Sequence, residues 1–395
     1  MTWRERVVDF FGLRKSIVAM LLMAILVGLG EKMAERFLPI YLLALGGGVL
    51  SVGFLNAMDN LLSALYAYPG GYLSERLGYK RALIVFNLLA MAGYSIVILF
   101  PHWLAVIIGS AFFLSWSAIS LPATMSLVSR SLPPGKRTMG VSVHSLVRRI
   151  PMALGPVIGG VLIGFYGEMT GVRLAFFAAL FLAIGSLFIQ QAMIEDDNSR
   201  GRAEKRPSQL WRRMSPDLRN LLVSDILIRF AEQIPYAFVV VWCMKNNGIS
   251  AVQFGLLTTV EMATAMFVYI PVAYLADRTT KKPFVLITFV NFTLFPLFLF
   301  FSHSFWMMVV AFVIRGLKEF GEPTRKALIM DLAPEDQKAG MFGLYYLIRD
   351  VVVSGAAFAG GYLWLLSPAV NLLAATACGL IGTIYFALRG RDLKG

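Results

Sequence analysis

Apolar residues fill this chain in twelve long runs, near 16–43, 50–73, 82–100, 103–128, 139–166, 172–194, 218–244, 250–276, 283–301, 304–330, 339–365 and 368–388. A bilayer's hydrocarbon core is about 30 Å thick, and about 20 helical residues cross it. The pattern therefore predicts twelve transmembrane helices and an all-α fold. The longest polar interruption, 195–217, carries Arg200, Arg202, Lys205, Arg206, Arg212 and Arg213 and separates six runs from six. It reads as a linker between two bundles, 1–194 and 218–395, with a short surface helix around Leu210 and Trp211. A second polar feature lies inside the first run, where Glu31, Lys32, Glu35 and Arg36 share one helical turn or two. Charges at bilayer depth cost several kcal/mol, about 2.5–3.5 on insertion scales, and so face protein or a watery cavity.

Composition agrees: 58% of the 395 residues are hydrophobic, 15% are charged and the mean hydropathy is +0.70. The net charge of +13 would point to nucleic acid in a soluble protein, but these cations bracket apolar runs. Arg4, Arg6, Arg14 and Lys15 precede the first run, and Arg76, Lys80, Arg81, Arg130, Lys136, Arg137, Arg278, Lys281 and Lys282 fill even-numbered connections. The odd-numbered ones hold only Arg173 and Lys245. By the positive-inside bias both termini are cytoplasmic, which places the chain in a cell membrane of the bacterial inner-membrane kind and excludes a nucleic-acid partner. The first run is too long and too charged for a removed leader. Two distant cysteines and three scattered histidines give neither a disulfide framework nor a metal set, and no cofactor is implied.

The two halves repeat one another. Pro69-Gly70-Gly71-Tyr72-Leu73-Ser74-Glu75-Arg76 recurs as Pro271-Val272-Ala273-Tyr274-Leu275-Ala276-Asp277-Arg278, an offset of 202. Pro134, Gly140, Arg149, Gly155 and Gly160 recur at an offset of 200 as Pro334, Gly340, Arg349, Gly355 and Gly360. Lys32-Met33-Ala34-Glu35 corresponds, at an offset of 197, to Arg229-Phe230-Ala231-Glu232. Duplicated bundles joined by a long linker are the organisation of carriers whose substrate site lies between repeats.

Gly71-Tyr72-Leu73-Ser74-Glu75-Arg76-Leu77-Gly78-Tyr79-Lys80-Arg81 resembles the G-x-L-x-D-R-x-G-R-K/R signature of the major facilitator superfamily, a fold of two pseudo-symmetric six-helix bundles. Glu75 stands where the signature has Asp, and the second copy has Ala273 and Thr280 in place of both glycines. The resemblance implies a gating loop of Gly71, Glu75, Arg76, Gly78, Lys80 and Arg81, with Asp277 and Arg278 in the second copy. Gly78 suits a turn with positive φ. Gly155-Pro156-Val157-Ile158-Gly159-Gly160 resembles the G-P-x-x-G-G element of the superfamily's drug:proton antiporters, although the arginine those proteins carry on the fourth helix is missing from Phe112 to Trp116. Glu31-x-x-Glu35-Arg36 resembles an element of proton-coupled oligopeptide transporters.

The intramembrane charges are Glu31, Lys32, Glu35, Arg36, Asp59, Arg148, Arg149, Asp225, Arg229, Glu232, Glu261, Arg315, Lys318, Glu319, Glu322, Arg325, Arg349 and Asp350, nine cations and nine acids. The balance predicts internal pairing. Arg325 and Lys326, near the end of their run, are expected to reach the interface. Glu31, Glu35 and Glu232, each beside a cation, are the candidate proton carriers, and Phe37, Tyr41, Trp116, Tyr236 and Tyr345 the candidate pocket aromatics. No nucleotide loop or nucleophile elbow is present. The expected function is therefore a non-enzymatic, monomeric secondary carrier of a small amphipathic solute, coupled to protons and exporting by alternating access. A carrier or flippase for lipid-like or peptide-like solutes is the alternative, and a non-transporting membrane sensor a third.

Overall fold

The computed structural model describes residues 15–114, 116, 120, 147–194, 211–276, 280–333 and 338–391. Among these the regular structure is helical throughout. Thirteen helices carry the fold: α1 (Lys15–Glu35), α2 (Leu38–Ala44), α3 (Gly48–Leu77), α4 (Tyr79–Leu99), α5 (Trp103–Phe113), α6 (Arg149–Met193), α7 (Pro216–Gln233), α8 (Ala251–Ala276), α9 (Lys282–Phe301), α10 (Phe305–Leu317), α11 (Glu322–Leu332), α12 (Lys338–Leu366) and α13 (Pro368–Arg389). After α7 a tighter stretch, Tyr236–Phe238, leads through Val239–Val241 into one π-helical turn, Trp242–Asn246. Nine of the described helical spans are long and apolar enough to cross a membrane, and α5 and α10 are shorter apolar helices.

Three runs read as continuous from sequence are broken. The first stops at Glu35 and restarts at Leu38, the seventh stops at Gln233, and the tenth is interrupted between Leu317 and Glu322. Each break lies within three residues of a proline, Pro39, Pro235 and Pro323, which cannot donate to the carbonyl four residues back and crowds it. In lipid the freed backbone groups need partners. Asn56 Nδ2 donates to the Gln233 carbonyl at 2.9 Å, Asn371 Nδ2 to those of Ile234 at 3.2 Å and Gly360 at 2.8 Å, and Gly321 N–H to Thr288 Oγ1 at 2.6 Å. Conversely, the fifth and sixth runs form one assignment, α6, whose 45 residues turn at Gly167 with φ 78° and ψ 170°. That backbone conformation favours glycine.

Contacts divide the chain into two compact units: Met1–Gly46 with Leu62–Glu204, and Gly47–Leu61 with Lys205–Gly395. The first part of α3 thus counts with the second unit. In the first unit α1 lies along α6 at very short range. A Cβ on Gly155 would meet Lys32 Cβ at 2.7 Å, and one on Gly159 would run into the Met33 carbonyl. The antiporter-like element is therefore what lets the charged turn of α1 approach its neighbour, as small residues do between helices in lipid. In the second unit α7 packs against α13, α12 and α9, and α8 against α10. An apolar core including Leu218, Leu222, Phe289, Leu328, Ile329 and Tyr345 closes one end of it.

Candidate functional site

On α7 the residues Asp225, Arg229 and Glu232 stand four and three apart and so share one helical face. Facing charges come from α8, α10, α11 and α12, and the result is a single alternating chain inside the second unit. Asp350 Oδ1 meets Arg349 Nε at 2.7 Å, and Arg349 Nη1 lies 3.5 Å from Asp225 Oδ2. Asp225 pairs with Arg325, whose Nη2 is 2.7 Å from Glu322 Oε1. Glu322 Oε2 lies 3.6 Å from Arg229 Nη2, and Arg229 Nη1 2.6 Å from Glu232 Oε2. Lys318 Nζ then bridges Glu232 at 2.7 Å and Glu261 at 3.5 Å, and Arg315 Nε ends the chain 3.3 Å from Glu261. Five acids alternate with five cations. Burying either sign alone would be prohibitive, whereas alternation leaves every ion beside its opposite.

Aromatic rings complete the surroundings. Tyr345 O–H donates to Asp225 Oδ2 at 3.1 Å. The Arg349 guanidinium lies 4.2 Å from the Tyr346 ring centroid, and Arg315 sits over Tyr236, Phe295 and Phe312 at 4.9–5.6 Å. Phe292 lies beneath both Arg229, at 5.2 Å, and Lys318, at 5.8 Å. Such faces attract cations. Glu322 opens α11, where the helix dipole favours an acid, while Glu232 sits near the C-terminal end of α7, where it is disfavoured and the two cations offset the cost.

Arg325 does not reach the interface as its position near the end of a run implied. Its side chain is 1% exposed, because Asp225 and Glu322 hold it inward, whereas Lys326 is 46% exposed. Sequence reasoning also missed Asn56, Asn60, Gln233 and Asn371; amides inside apolar runs are a readable signal, and Gln233 and Asn371 stand two and three residues from Pro235 and Pro368. Asn60 Nδ2 donates to Gln233 Oε1 at 3.1 Å.

In the first unit Lys32 Nζ lies 3.1 Å from Glu31 Oε1 and pairs with Glu35, so one ammonium serves two carboxylates. Arg36 and Arg149 are half-buried, at the break after α1 and the start of α6. Phe37, Tyr41 and Trp116 are buried, as is Tyr345 in the second unit, while Tyr236, Asp59 and Glu319 are half-buried. Among the described residues, the hydroxyls of Tyr41 and Tyr94 and the Trp116 indole N–H find no hydrogen-bond partner. Of the loop that resembles the superfamily signature, Gly78 has φ 80° before α4, and the Lys80 carbonyl accepts from Gln190 Nε2 at 2.7 Å. Lys80 is half-buried and Arg81 exposed. Gly71, Glu75 and Arg76 lie on the helical backbone of α3 with their surroundings undescribed, and Asp277 and Arg278 lie outside the described residues. Among the described residues no group of acids, histidines and cysteines has metal-holding geometry.

The model for the Major Facilitator Superfamily matches residues 20–231 and again 221–394. An uncharacterized MFS-type transporter of Methanocaldococcus jannaschii is 20% identical over 365 residues, 89% of each chain. A second uncharacterized MFS-type transporter, YfkF of Bacillus subtilis, is 29% identical over 124 residues, 31% of each. Among solved structures the nucleoside transporter NupG superposes with a TM-score of 0.82 at 10% identity, covering 95% of this chain and 100% of that one. A POT family transporter bound to a thioalcohol-conjugated peptide gives 0.79 at 11% identity, covering 94% and 95%. At such identities the superpositions establish the fold alone.

Proposed function

The chain belongs to the Major Facilitator Superfamily, and on that premise we propose that this multi-pass membrane transporter moves a small amphipathic organic solute by alternating access with protons as the coupling ion. The observation that carries the reading is the alternating chain of buried charges on α7, α8, α10, α11 and α12. Its members sit beside helix breaks at Gln233 and Leu317, the discontinuities that carriers place around a solute site. A static scaffold would be served as well by apolar packing, whereas re-pairing charges give a bistable element that a solute and a proton can bias. Glu31 and Glu35, which share Lys32, are the carboxylates we assign to proton exchange. We also read the termini and the 195–217 linker as cytoplasmic.

Efflux is the direction implied by the antiporter-like element of α6. Since Gly155 and Gly159 seat α1 there, support for export is best sought by experiment. A ligand-stabilisation screen of purified protein at two pH values would supply a solute, and flux of that solute would then be followed in liposomes with a pH gradient of either polarity. The expected result is gradient-dependent flux of one direction, lost in Glu35→Gln. Flux indifferent to the gradient, together with an unaltered Glu35→Gln variant, defeats the coupling assignment.

A further inference from the structure

Exposure along the charge chain is uneven, and besides the terminal Asp350, at 23%, the accessible members are neighbours around Arg229. Asp225 and Arg325 are each 1% exposed, Glu261 1% and Arg315 4%, while Arg229 keeps 18%, Lys318 12% and Glu232 10%. The accessible run is therefore Glu322 at 11%, Arg229, Glu232 and Lys318, in which Glu232 is held between two cations with Phe292 beneath both of them. Any ligand reaching this point meets two donors whose shared partner is a side chain on a helix that ends one residue later, at Gln233.

We infer that Arg229 and Lys318 form a receptor site for a carboxylate carried on an apolar body, which binds by taking the place of the Glu232 carboxylate. This deepens the transporter reading and rests on it. The substitution keeps the site neutral only if Glu232 takes up one proton as the ligand anion arrives, because an added negative charge at such depth is costly. The proton goes to the Glu232 carboxylate; the ligand's carboxylate then accepts N–H bonds from Arg229 and Lys318. The charged groups around Glu232 are Arg229 on its own helix, Lys318 at the end of α10, Glu261 on α8 beyond Lys318, and Glu322 and Arg325 on α11. Glu322 and Glu261 keep the two cations partnered throughout, so each gives up one contact rather than all. Phe292, 4% exposed, backs the two cations from the core side.

The test uses the purified full-length protein and three probes of one size: phenylacetate, the neutral phenylacetamide and the cationic phenethylamine. Titration calorimetry in buffers of different ionisation enthalpy reads both affinity and protons exchanged. Phenylacetate is expected to bind on the order of tenfold or more tighter than either analogue, the ratio of a charge-assisted to a neutral contact, with uptake of about one proton. Glu232→Gln is expected to tighten phenylacetate binding by about tenfold and abolish the proton uptake, since the internal competitor has gone. Lys318→Gln is expected to weaken it and Lys318→Arg to restore it, which separates loss of charge from loss of fold. Equal affinity for all three probes, no binding by any of them, preference for the amine, or weaker binding by Glu232→Gln overturns the site. Gradient-driven flux of another solute with no carboxylate preference would defeat this inference and leave the transporter reading standing, while carboxylate binding without flux would do the reverse.

Discussion

Asp225 gives the sharpest test of how the buried charges hold the second unit together. Its carboxylate is 1% exposed, pairs with Arg325, accepts from Tyr345 at 3.1 Å and lies 3.5 Å from Arg349. Asp225→Asn keeps the shape and an acceptor for Tyr345 but removes the charge that both arginines face. Breaking a buried pair costs about 3–5 kcal/mol. The lower end applies, because Arg325 keeps two bonds to Glu322, at 2.7 and 3.0 Å, and Arg349 keeps Asp350 at 2.7 Å. A loss of about 3 kcal/mol corresponds to a melting point lower by roughly 6–12 °C for a unit of this size. Thermal unfolding in detergent, followed by intrinsic fluorescence, is a suitable assay, since Trp242 and Trp364 are buried within the same unit and Trp364 stacks on Phe238 at 4.8 Å. The double variant Asp225→Asn with Arg325→Gln should melt above the value obtained by adding the single losses, by an amount worth about 1–3 kcal/mol, because the second change removes the charge the first left stranded. A melting point for Asp225→Asn within about a degree of the parent, or double-variant losses that simply add, would refute the account of the network as mutually compensating charges.

Other substitutions test the packing and the breaks by the same melting assay. Gly155→Ala should destabilise by about 1–3 kcal/mol by pressing a Cβ on Lys32 and Met33, whereas Gly355→Ala, at the equivalent repeat position and with open space around it, should be neutral or slightly stabilising. Gly78→Ala should cost about 1–2 kcal/mol, since its φ of 80° disfavours a side chain. Asn371→Leu should cost about 1–3 kcal/mol by removing the side-chain donor to the carbonyls of Ile234 and Gly360, with Thr376→Val, whose hydroxyl donates to Leu372 of its own helix, as the mild control.

Much of this architecture is legible in the sequence because membrane helices announce themselves by length and apolarity. The repeat, too, survives as matched glycines, prolines and charges. The three-residue spacing of Lys32 and Glu35, and of Arg229 and Glu232, already puts each pair on one helical face, and both pairs meet in the structure. Partners from different helices are another matter. Nothing in the run 304–330 says that Arg325 turns inward to Asp225, a hundred residues earlier, since that depends on which face of α11 meets α7. The helix breaks fall between these cases. Pro39, Pro235 and Pro323 are visible, but proline in a membrane helix either bends or breaks it according to which neighbour satisfies the freed carbonyls, and the asparagines that do so are distant in sequence.

Helix α3 runs unbroken from Gly48 to Leu77, yet its first fourteen residues count with the second unit and the rest with the first. An ancestral duplication would have yielded two self-contained bundles, but here the downstream bundle borrows an element encoded upstream. Gln233 accepts from Asn56 and partners Asn60, and Gly53 abuts Gly361 so closely that a Cβ would lie 2.9 Å from its Cα. A chain severed in the linker therefore yields a C-terminal fragment that lacks the contacts of Gly53, Asn56 and Asn60 with α7 and α12, contacts that the N-terminal fragment carries. The dependence runs one way: the downstream unit is finished by residues 48–61, whereas the upstream unit takes nothing from beyond Glu204.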